Sequence, residues 1–565
     1  MIFKNGVWLQ SVAIVSLCLV PTIARAQQND VAQTSDKVQR EADRADAGIA
    51  ERASKVPRLN MEASPSAIPT RVAPPVAATF AGDVAVGAIR VDGATTFRAA
   101  QFAPLFEAYI GRRLGPADLK AIAQGVAEMA RARGYVFATA WIPAQSVTNG
   151  VLRVRLDEGR IDEVRVNGLV DPAISRRLGV LADGRPVTRA ELERALLLAG
   201  DLPGVAIGQT RYLRERTRGV LVVDTSAKRI EGNVQIDNWG SGAVGPVRVR
   251  VRTDLNGALF AGDQLSLRGT VTPFEPSELA TVGFDYAADT GADGLLAGFG
   301  ASYTHVRPGD RAPDDRIDGR STSVNANLSY PLLRTPDANI WTTIDFTVRD
   351  VEQDRSGALF RNDRLSTVTV GVSGYRGWLG GWLYARLNAR QGVDLFDATR
   401  RGDPLASRSG GSAIFSKLDI YADWTGPIAG ALSLKVAGEG QVASRALLSS
   451  EEMGIGGPRF GRAYDYSERS GDHGITGLAE LRYDIKDAPF KGRPTQIYAF
   501  ADAGTVGNFG TGGRGGSLYS AGAGVRFDIS KVFDAGAEIG FPIGHDRYET
   551  GNRNPRLSFS LSARF

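Results

Sequence analysis

The strongest constraint on the fold of this chain is an alternating pattern that begins near Glu231 and continues to the C-terminus. Short runs place apolar residues at every second position, and turns rich in Gly, Asp, Asn and Pro separate the runs. Successive side chains of a strand point to opposite faces, so each run has one apolar and one polar face. The clearest runs are Val247–Arg252, Leu265–Arg268, Val368–Val372 and Leu432–Val436.

The polar face of these runs distinguishes two β-architectures. It carries Arg248, Arg250, Arg252 and Arg268, and the dry core of a soluble sandwich or propeller would not accommodate so many charges. A water-filled lumen accommodates them, while the apolar face contacts lipid. The pattern therefore predicts a transmembrane β-barrel.

The length of this region sets the number of strands. At roughly 20 residues for each strand with its connection, residues 230–565 provide about 16 antiparallel strands, enough to enclose an aqueous lumen. The final strand would point Phe559, Leu561, Ala563 and Phe565 outward, which is typical of outer-membrane barrels. Aromatic residues near predicted strand ends fit interfacial girdles; they include Trp378, Trp382 and Tyr384.

The first 26 residues have the pattern of a secretory signal peptide. Lys4 precedes an apolar stretch from Val12 to Val20, and Ala24-Arg25-Ala26 forms a small-x-small cleavage site. We expect cleavage after Ala26. The one cysteine, Cys18, lies inside this segment, so the mature chain would contain no thiol. No later stretch approaches the ~18 consecutive apolar residues of a transmembrane helix.

The sequence between the signal and the barrel divides into three parts. Residues 27–80 begin with a polar stretch of helical propensity, Asp30 to Lys55, which could equally be disordered, and continue as a proline-rich linker. Residues 81–158 and 159–229 each predict the order β-α-α-β-β, a divergent internal repeat. Residues 230–565 form the predicted barrel.

Hydrophobic periodicity predicts the elements of the two repeats. In the first they are a strand over Val84–Val91, helices over Arg98–Ile110 and Pro116–Arg133, and strands over Tyr135–Ile142 and Val151–Leu156. In the second they are a strand over Ile161–Val166, helices over 171–182 and 188–200, and strands over Val205–Leu213 and Gly219–Ser226.

Three local motifs accompany this organisation. The barrel begins with a Asp-Asn-x-Gly-Ser segment, a later loop contains a Gly-Arg-Ala-Tyr tetrad, and a following strand contains Phe-x-Asp-x-Gly. With the two repeats, they give the chain a resemblance to the two-partner-secretion transporters of the hemolysin-activator type (ShlB, FhaC, HecB), in the Omp85 superfamily. The motif residues are Asp237, Asn238, Gly240 and Ser241; Gly461, Arg462, Ala463 and Tyr464; and Phe500, Asp502 and Gly504.

The resemblance has implications for the fold and the site. It implies two periplasmic α/β POTRA domains followed by the barrel, and a lumenal loop in which Arg462 pairs with Asp502. The family tetrad is Val-Arg-Gly-aromatic, so Gly461 and Ala463 depart from it while the Arg and the aromatic remain. The Asp30–Lys55 segment would correspond to the plug helix that some members place in the lumen.

The resemblance also implies partners. The POTRA domains would bind the secretion domain of an unfolded adhesin- or hemolysin-type exoprotein, which would cross the barrel to the cell surface. An open strand edge can bind an extended chain by adding a strand. The protein would lie in outer-membrane lipid and depend on the barrel assembly machinery during biogenesis. A nucleic-acid partner is not expected, because the 67 basic and 62 acidic residues are interspersed.

The sequence gives little support to other functions. The three histidines, His305, His473 and His545, are far apart and form no metal-binding spacing, and no nucleophile elbow or phosphate-binding loop is present, so we expect no cofactor and no enzyme activity. An Omp85-type assembly factor is the main alternative, although such factors often have more POTRA domains. A passive porin would leave the two repeats unexplained.

Overall fold

The computed structural model describes residues 83–168, 171–216, 218–309, 316–485, 495–510, 515–548 and 550–565. The predicted signal peptide with its cleavage after Ala26, and the polar segment and linker at 27–80, lie outside the described residues. Within these ranges, no helix has both the length and the apolar character needed to cross a membrane.

The first repeat is a small α/β unit. Its elements are β1 Val84–Val86, β2 Ala88–Asp92, α1 Ala103–Phe106, β3 Arg112–Leu114, α2 Pro116–Ala132, β4 Thr139–Trp141 and β5 Val151–Asp157. Strand β5 pairs in parallel with β2 and antiparallel with β4, and a separate ladder joins β1 to β3. Helix α2 buries the apolar face expected from its periodicity, with Leu119, Ile122 and Val126 in the core.

Two predictions for this unit were wrong in extent. The helix expected over Arg98–Ile110 is a 3-10 turn, Ala99–Gln101, followed by α1, whose first turn contains Pro104. A proline has no N–H to donate to the preceding turn, so the helix restarts there. The strand expected over Tyr135–Ile142 is reduced to β4, because residues 135–138 turn so that Phe137 can enter the core of the second repeat.

The second repeat has the predicted order of elements. They are β6 Glu163–Gly168, α3 Pro172–Gly179, α4 Arg189–Gly200, β7 Val205–Glu215 and β8 Arg218–Ala227. The sheet order is β6-β8-β7. Thr188 and Glu191 form a reciprocal cap at the start of α4, and the Asp171 carboxylate caps α3 by accepting from the Ala173 N–H at 2.7 Å.

The two α/β units pack directly against each other. The rings of Phe137 and Tyr212 stack with centroids 4.1 Å apart and an interplanar angle of 10°, and Arg214 pairs with Asp157 at 3.0 Å. These contacts join the units across their boundary.

The predicted barrel is confirmed. Among the described residues, sixteen antiparallel strands form one closed barrel in which the last strand pairs with the first. The barrel strands are β9 Ile230–Asp237, β10 Arg248–Asn256, β11 Asp263–Val271, β12 Leu279–Asp289, β13 Leu296–Val306, β14 Ile317–Arg334, β15 Ala338–Arg355, β16 Ala358–Trp378, β17 Gly381–Val393, β18 Ser416–Ala429, β19 Leu432–Ala443, β22 His473–Ile485, β23 Thr495–Gly507, β24 Gly516–Asp528, β25 Phe533–Ile543 and β26 Arg556–Arg564.

The alternating side chains face as expected. Val251 and Leu267 are exposed on the outer surface, whereas Arg248 and Arg268 are buried inside. The inward arginines have inward carboxylates as partners: Arg250 pairs with Asp237 and Arg268 with Asp285. Phe559 and Leu561 of the final strand, and Phe565 directly after it, are exposed, in agreement with the predicted lipid-facing ending.

The second repeat is attached to the barrel through two buried ion pairs. Arg177 of α3 contacts Asp289 at the end of β12 at 2.5 Å, and both side chains are almost fully buried. Arg334, at the end of β14, donates to both carboxylate oxygens of Asp201 at 2.7 Å. We refer to these contacts as the junction. The α/β units therefore lie at the end of the barrel where β14 and β15 are joined by the short turn 335–337.

The lumenal loop as candidate functional site

The loop between β19 and β22, residues 444–472, returns into the barrel. Two short strands, β20 Met453–Ile455 and β21 Arg469–Gly471, pair to form its stalk, and residues 456–468 form its tip. The tip turns on glycines with positive φ, namely Gly456, Gly457 and Gly461. We call residues 444–472 the lumenal loop.

The side chain of Arg462 lies in a cluster of inward carboxylates. Its Nη1 is 2.7 Å from Glu480 Oε2 on β22 and 2.9 Å from Glu538 Oε2 on β25. The guanidinium also lies over the Phe500 ring, 4.5 Å from its centroid, an arrangement that favours a cation. Burial of this charge is tolerable because two carboxylates and an aromatic face surround it.

Arg462 and Asp502 meet as predicted, but through a different contact. The Asp502 carboxylate accepts from the backbone N–H of Gly461 at 2.9 Å and of Arg462 at 3.3 Å, and from the Ser520 hydroxyl. The expectation of a guanidinium–Asp502 ion pair was wrong, since Glu480 and Glu538 take the side chain. Asp502 instead binds the backbone of the tip, as carboxylates bind consecutive amides.

The departures of the tetrad from the family pattern fit the backbone of the tip. Gly461 has φ +73°, and a Cβ there would lie 3.0 Å from Gly456 Cα, so a valine would be strained. Ala463 is fully buried, and it packs so closely on Gly540 that a Cβ at Gly540 would lie 3.1 Å from Ala463 Cα. The local sequence and the local geometry therefore agree.

Tyr464 and Asp465 fasten the other side of the tip. The Tyr464 ring is fully buried, and its hydroxyl donates to the carbonyls of Ile543 and His545, both at 3.3 Å. Asp465 pairs with Arg547 at 2.9 Å and with Arg556 at 3.3 Å. The tip therefore contacts β22 to β26 and the loop that precedes β26.

The motif at the start of the barrel closes the seam between β26 and β9. The Asn238 side chain donates to the Leu557 carbonyl at 2.9 Å and accepts from the Phe559 N–H at 2.8 Å. Asp237 is fully buried and accepts from Trp239 N at 3.2 Å. Gly240 leaves no room for a Cβ, which would lie 2.1 Å from the Gly245 carbonyl, and Ser241, also buried, precedes a 3-10 turn.

One arginine connects this seam to the lumenal loop. Arg556 donates to the Tyr464 carbonyl at 2.5 Å and, through its other terminal nitrogen, to the carbonyls of Trp239 and Gly240 at 3.3 and 3.2 Å. Arg556, Glu480 and Glu538 were not identified as partners from the sequence. Each lies on the polar face of an alternating strand, and this predicts that its side chain faces the lumen. Many other residues share that property, so the pattern alone could not select these three.

The remaining predicted positions have structural roles. Gly504 lets the stalk approach the wall, because a Cβ there would lie 2.7 Å from Thr476 and 3.3 Å from Ile455. The Phe565 ring covers Gly232, where a Cβ would lie 2.0 Å away. Across the described ranges no group of histidines, cysteines or carboxylates could hold a metal ion.

Comparison with known proteins agrees with this geometry. Residues 219–527 match the family model "Haemolysin secretion/activation protein ShlB/FhaC/HecB", and residues 84–159 match the model of the ShlB-type POTRA domain. The heme/hemopexin transporter protein HuxB of Haemophilus influenzae strain 86-028NP is 25% identical over 283 residues, 48% of this chain and 49% of that protein. The outer membrane transporter CdiB of Escherichia coli is 22% identical over 81% of this chain and 79% of its own length.

Solved structures share the fold. CdiB from Escherichia coli superposes with a TM-score of 0.70 at 20% identity, covering 96% of this chain and 99% of that one. BamA from Haemophilus ducreyi lacking POTRA domains 1–3 gives 0.52 at 12% identity, covering 86% of this chain and all of that one. The family match extends over more than half of the sequence, and the chain belongs to the ShlB/FhaC/HecB family of haemolysin secretion/activation proteins, outer-membrane transporters of two-partner secretion.

Proposed function

We propose that this protein carries one unfolded partner exoprotein from the periplasm through the barrel to the cell surface, with no catalytic step. The observation that carries the proposal is the lumenal loop, whose tip is bound in the lumen by polar contacts of Arg462, Tyr464 and Asp465 beside a small apolar cluster. Charged and hydrogen-bonded groups can exchange protein partners for water or for a passing chain, whereas a packed apolar plug would expose its surface.

We propose that the cargo is recognised by the two α/β units, both acting as POTRA domains within 81–158 and 159–229. Strand β7 is an edge of its sheet and is 11 residues long. An extended chain could add to such an edge through backbone hydrogen bonds, which require little of its sequence. Insertion of the barrel itself would depend on the barrel assembly machinery.

We propose that the motif residues Gly461, Arg462, Ala463, Tyr464, Phe500, Asp502 and Gly504 together hold the closed state of the pore. A translocating chain would displace the tip from Glu480 and Glu538. Because Arg556 contacts both the tip and residues 239–240, displacement would also alter the end of the seam.

The test is a comparison of proteins in the medium and on the surface with and without the gene. Loss of one large protein from both, with other barrels unchanged, is the expected result. Arg462→Ala should also lower export several-fold while leaving barrel insertion and heat-modifiable migration intact. Normal export by this variant would remove Arg462 from the mechanism.

Assembly of other outer-membrane barrels is the second candidate, and one observation favours it. The ladder between β26 and β9 has five residue pairs, from Ser560–Asp237 to Arg564–Asn233, whereas β9 and β10 share eight. A short seam is easier to open towards the membrane. A broad fall in many outer-membrane barrels on deletion of the gene would select this function over transport.

A further inference from the structure

A second charged contact holds the base of the lumenal loop, and its polarity is the reverse of that at the tip. Glu451 ends the 3-10 turn Ser449–Glu451 and is almost fully buried. Its carboxylate accepts from Arg390 Nη1 at 2.9 and 3.2 Å, and it lies 2.9 Å from Lys417 Nζ. At the tip the Arg462 cation meets the carboxylates of Glu480 and Glu538. At the base the Glu451 carboxylate meets two cations, Arg390 and Lys417.

The two cations that face Glu451 have further contacts that fix their positions on the barrel wall. Arg390 on β17 and Lys417 on β18 are directly opposite partners in the ladder. Arg390 Nε donates to Thr369 Oγ1 at 3.1 Å. Like charges opposite each other destabilise a sheet. A carboxylate placed between these two cations reduces their repulsion and is therefore favoured here.

The backbone of Glu451 is bound as well. Lys417 Nζ donates to the Glu451 carbonyl at 3.1 Å, and Gln441 Nε2 donates to the same oxygen at 3.2 Å. Burial alone raises the pKa of Glu451, but Arg390 and Lys417 reverse this and hold its pKa below the usual range. The carboxylate is therefore charged at neutral pH, and its removal would leave Lys417, itself buried, near Arg390 without this partner.

Opposite polarity at the two ends restricts how the loop can lie. If the loop slid so that Arg462 approached Arg390 and Lys417, like charges would meet in a partly buried space, and the same holds for Glu451 beside Glu480. Repulsion against wrong positions is a source of specificity in addition to attraction in the right one.

We propose that Glu451, with Arg390 and Lys417, is the positioning site of the lumenal loop, fixing its base so that Arg462 reaches Glu480 and Glu538. The inference rests on the proposed function only in assuming that the loop closes the pore. It concerns the position of the loop in the resting protein, and it is measurable without any cargo.

The experiment uses the mature protein, which is expected to begin after Ala26 and therefore to lack Cys18, in liposomes and planar bilayers. Two single-cysteine reporters are placed at buried serines, Ser449→Cys at the base and Ser467→Cys at the tip, because this exchange adds almost no volume. Glu451→Gln, which keeps the shape and removes the charge, should speed labelling by a charged thiol reagent at least about tenfold at both reporters and raise ion conductance.

A charge exchange separates positioning from damage to the fold. Glu451→Lys alone should open the loop, and Glu451→Lys with Lys417→Glu should restore protection, because a carboxylate at position 417 would face both Arg390 and the new lysine. Asp397→Asn, which removes an exposed carboxylate from the loop between β17 and β18, is the matched control and should change neither reading.

Two results would overturn the proposal: unchanged labelling and conductance in Glu451→Gln, or no recovery in the exchanged pair when both proteins show normal heat-modifiable migration. Neither result depends on secretion. If labelling changes as expected while deletion of the gene leaves the secreted proteins unaltered, the positioning site stands and the transport function fails.

Discussion

The tip of the lumenal loop and the junction of the second repeat both contain buried arginines paired with carboxylates, yet they are built differently. At the junction, Arg177 belongs to a helix, and its partner Asp289 ends a strand. At the tip, Arg462 follows Gly461, whose φ is +73°, and only its partners belong to strands. Both residues of the junction pair therefore lie on regular secondary structure, whereas at the tip only the partners of Arg462 do.

Burial of an ion pair therefore does not by itself distinguish a fixed joint from a gate. Moving the junction would require two packed elements to separate, whereas moving the tip requires only a loop to change its backbone angles. Mobile parts of proteins have few packed elements of their own. The junction should therefore stay fixed while the tip moves.

The largest effect is expected at the junction. Asp289→Ala would leave Arg177 buried without its carboxylate, which costs about 3–5 kcal/mol, and Arg177 already has two side-chain nitrogens without a hydrogen-bond partner. We expect the second repeat to separate from the barrel. Pulsed EPR distances between labels on α4 and on the turn after β14 should become longer and broader.

An exposed pair in the same repeat provides the control for this change. Asp183 contacts Arg185 at 2.5 Å, with the arginine largely exposed, so Asp183→Ala should leave the distances unchanged. If Asp289→Ala behaves in the same way, the junction is not the fixed joint that the comparison requires.

A smaller effect is expected at the tip. Gly461→Val would place a β-branched residue at positive φ against Gly456, which costs about 1–3 kcal/mol. The tip should loosen and the ion conductance of planar bilayers should rise. Gly402→Val introduces similar backbone strain in a position with open space around it, and should leave conductance unchanged; equal conductance in both variants would contradict the assignment of the tip as the closing element.

The smallest effect is expected at the seam. Asn238→Ala removes two hydrogen bonds to β26, each worth about 1 kcal/mol. The temperature at which the folded band disappears in a heat-modifiability gel should fall slightly. Asn388→Ala, an asparagine on β17 away from the seam, should not change it, and an equal loss there would mean that Asn238 has no special role.

The barrel could be predicted from the sequence because the alternating apolar and polar pattern recurs in many strands. Alternation at Val249, Val251 and Leu267 follows directly from the geometry of a strand between lipid and water, and no distant contact is needed to infer it. The helices of the second repeat could be predicted for a similar reason, since hydrophobic periodicity is also local. The structure adds that Asp171 and Thr188, at the predicted starts, cap the two helices.

The partners of Arg462 could not be read in this way. Glu480 and Glu538 belong to strands separated by two others, and they converge on one guanidinium only because the barrel closes and the loop folds inward. The motif directed attention to Asp502, which is close but binds the backbone. The motif therefore predicted that Arg462 lies near Asp502. Which carboxylates bind its guanidinium depends on how the strands and the loop are arranged across the lumen.

The junction also has a consequence for direction. Its contacts fall at the ends of β12 and β14, on one side of the barrel opening, and the stacking of Phe137 on Tyr212 joins the two α/β units. Because the junction fixes these units at one side of the opening, a chain released from them would enter the lumen off-centre and always from the same side. The order in which cargo segments meet the lumen wall would then be set by architecture before any sequence in the cargo is read.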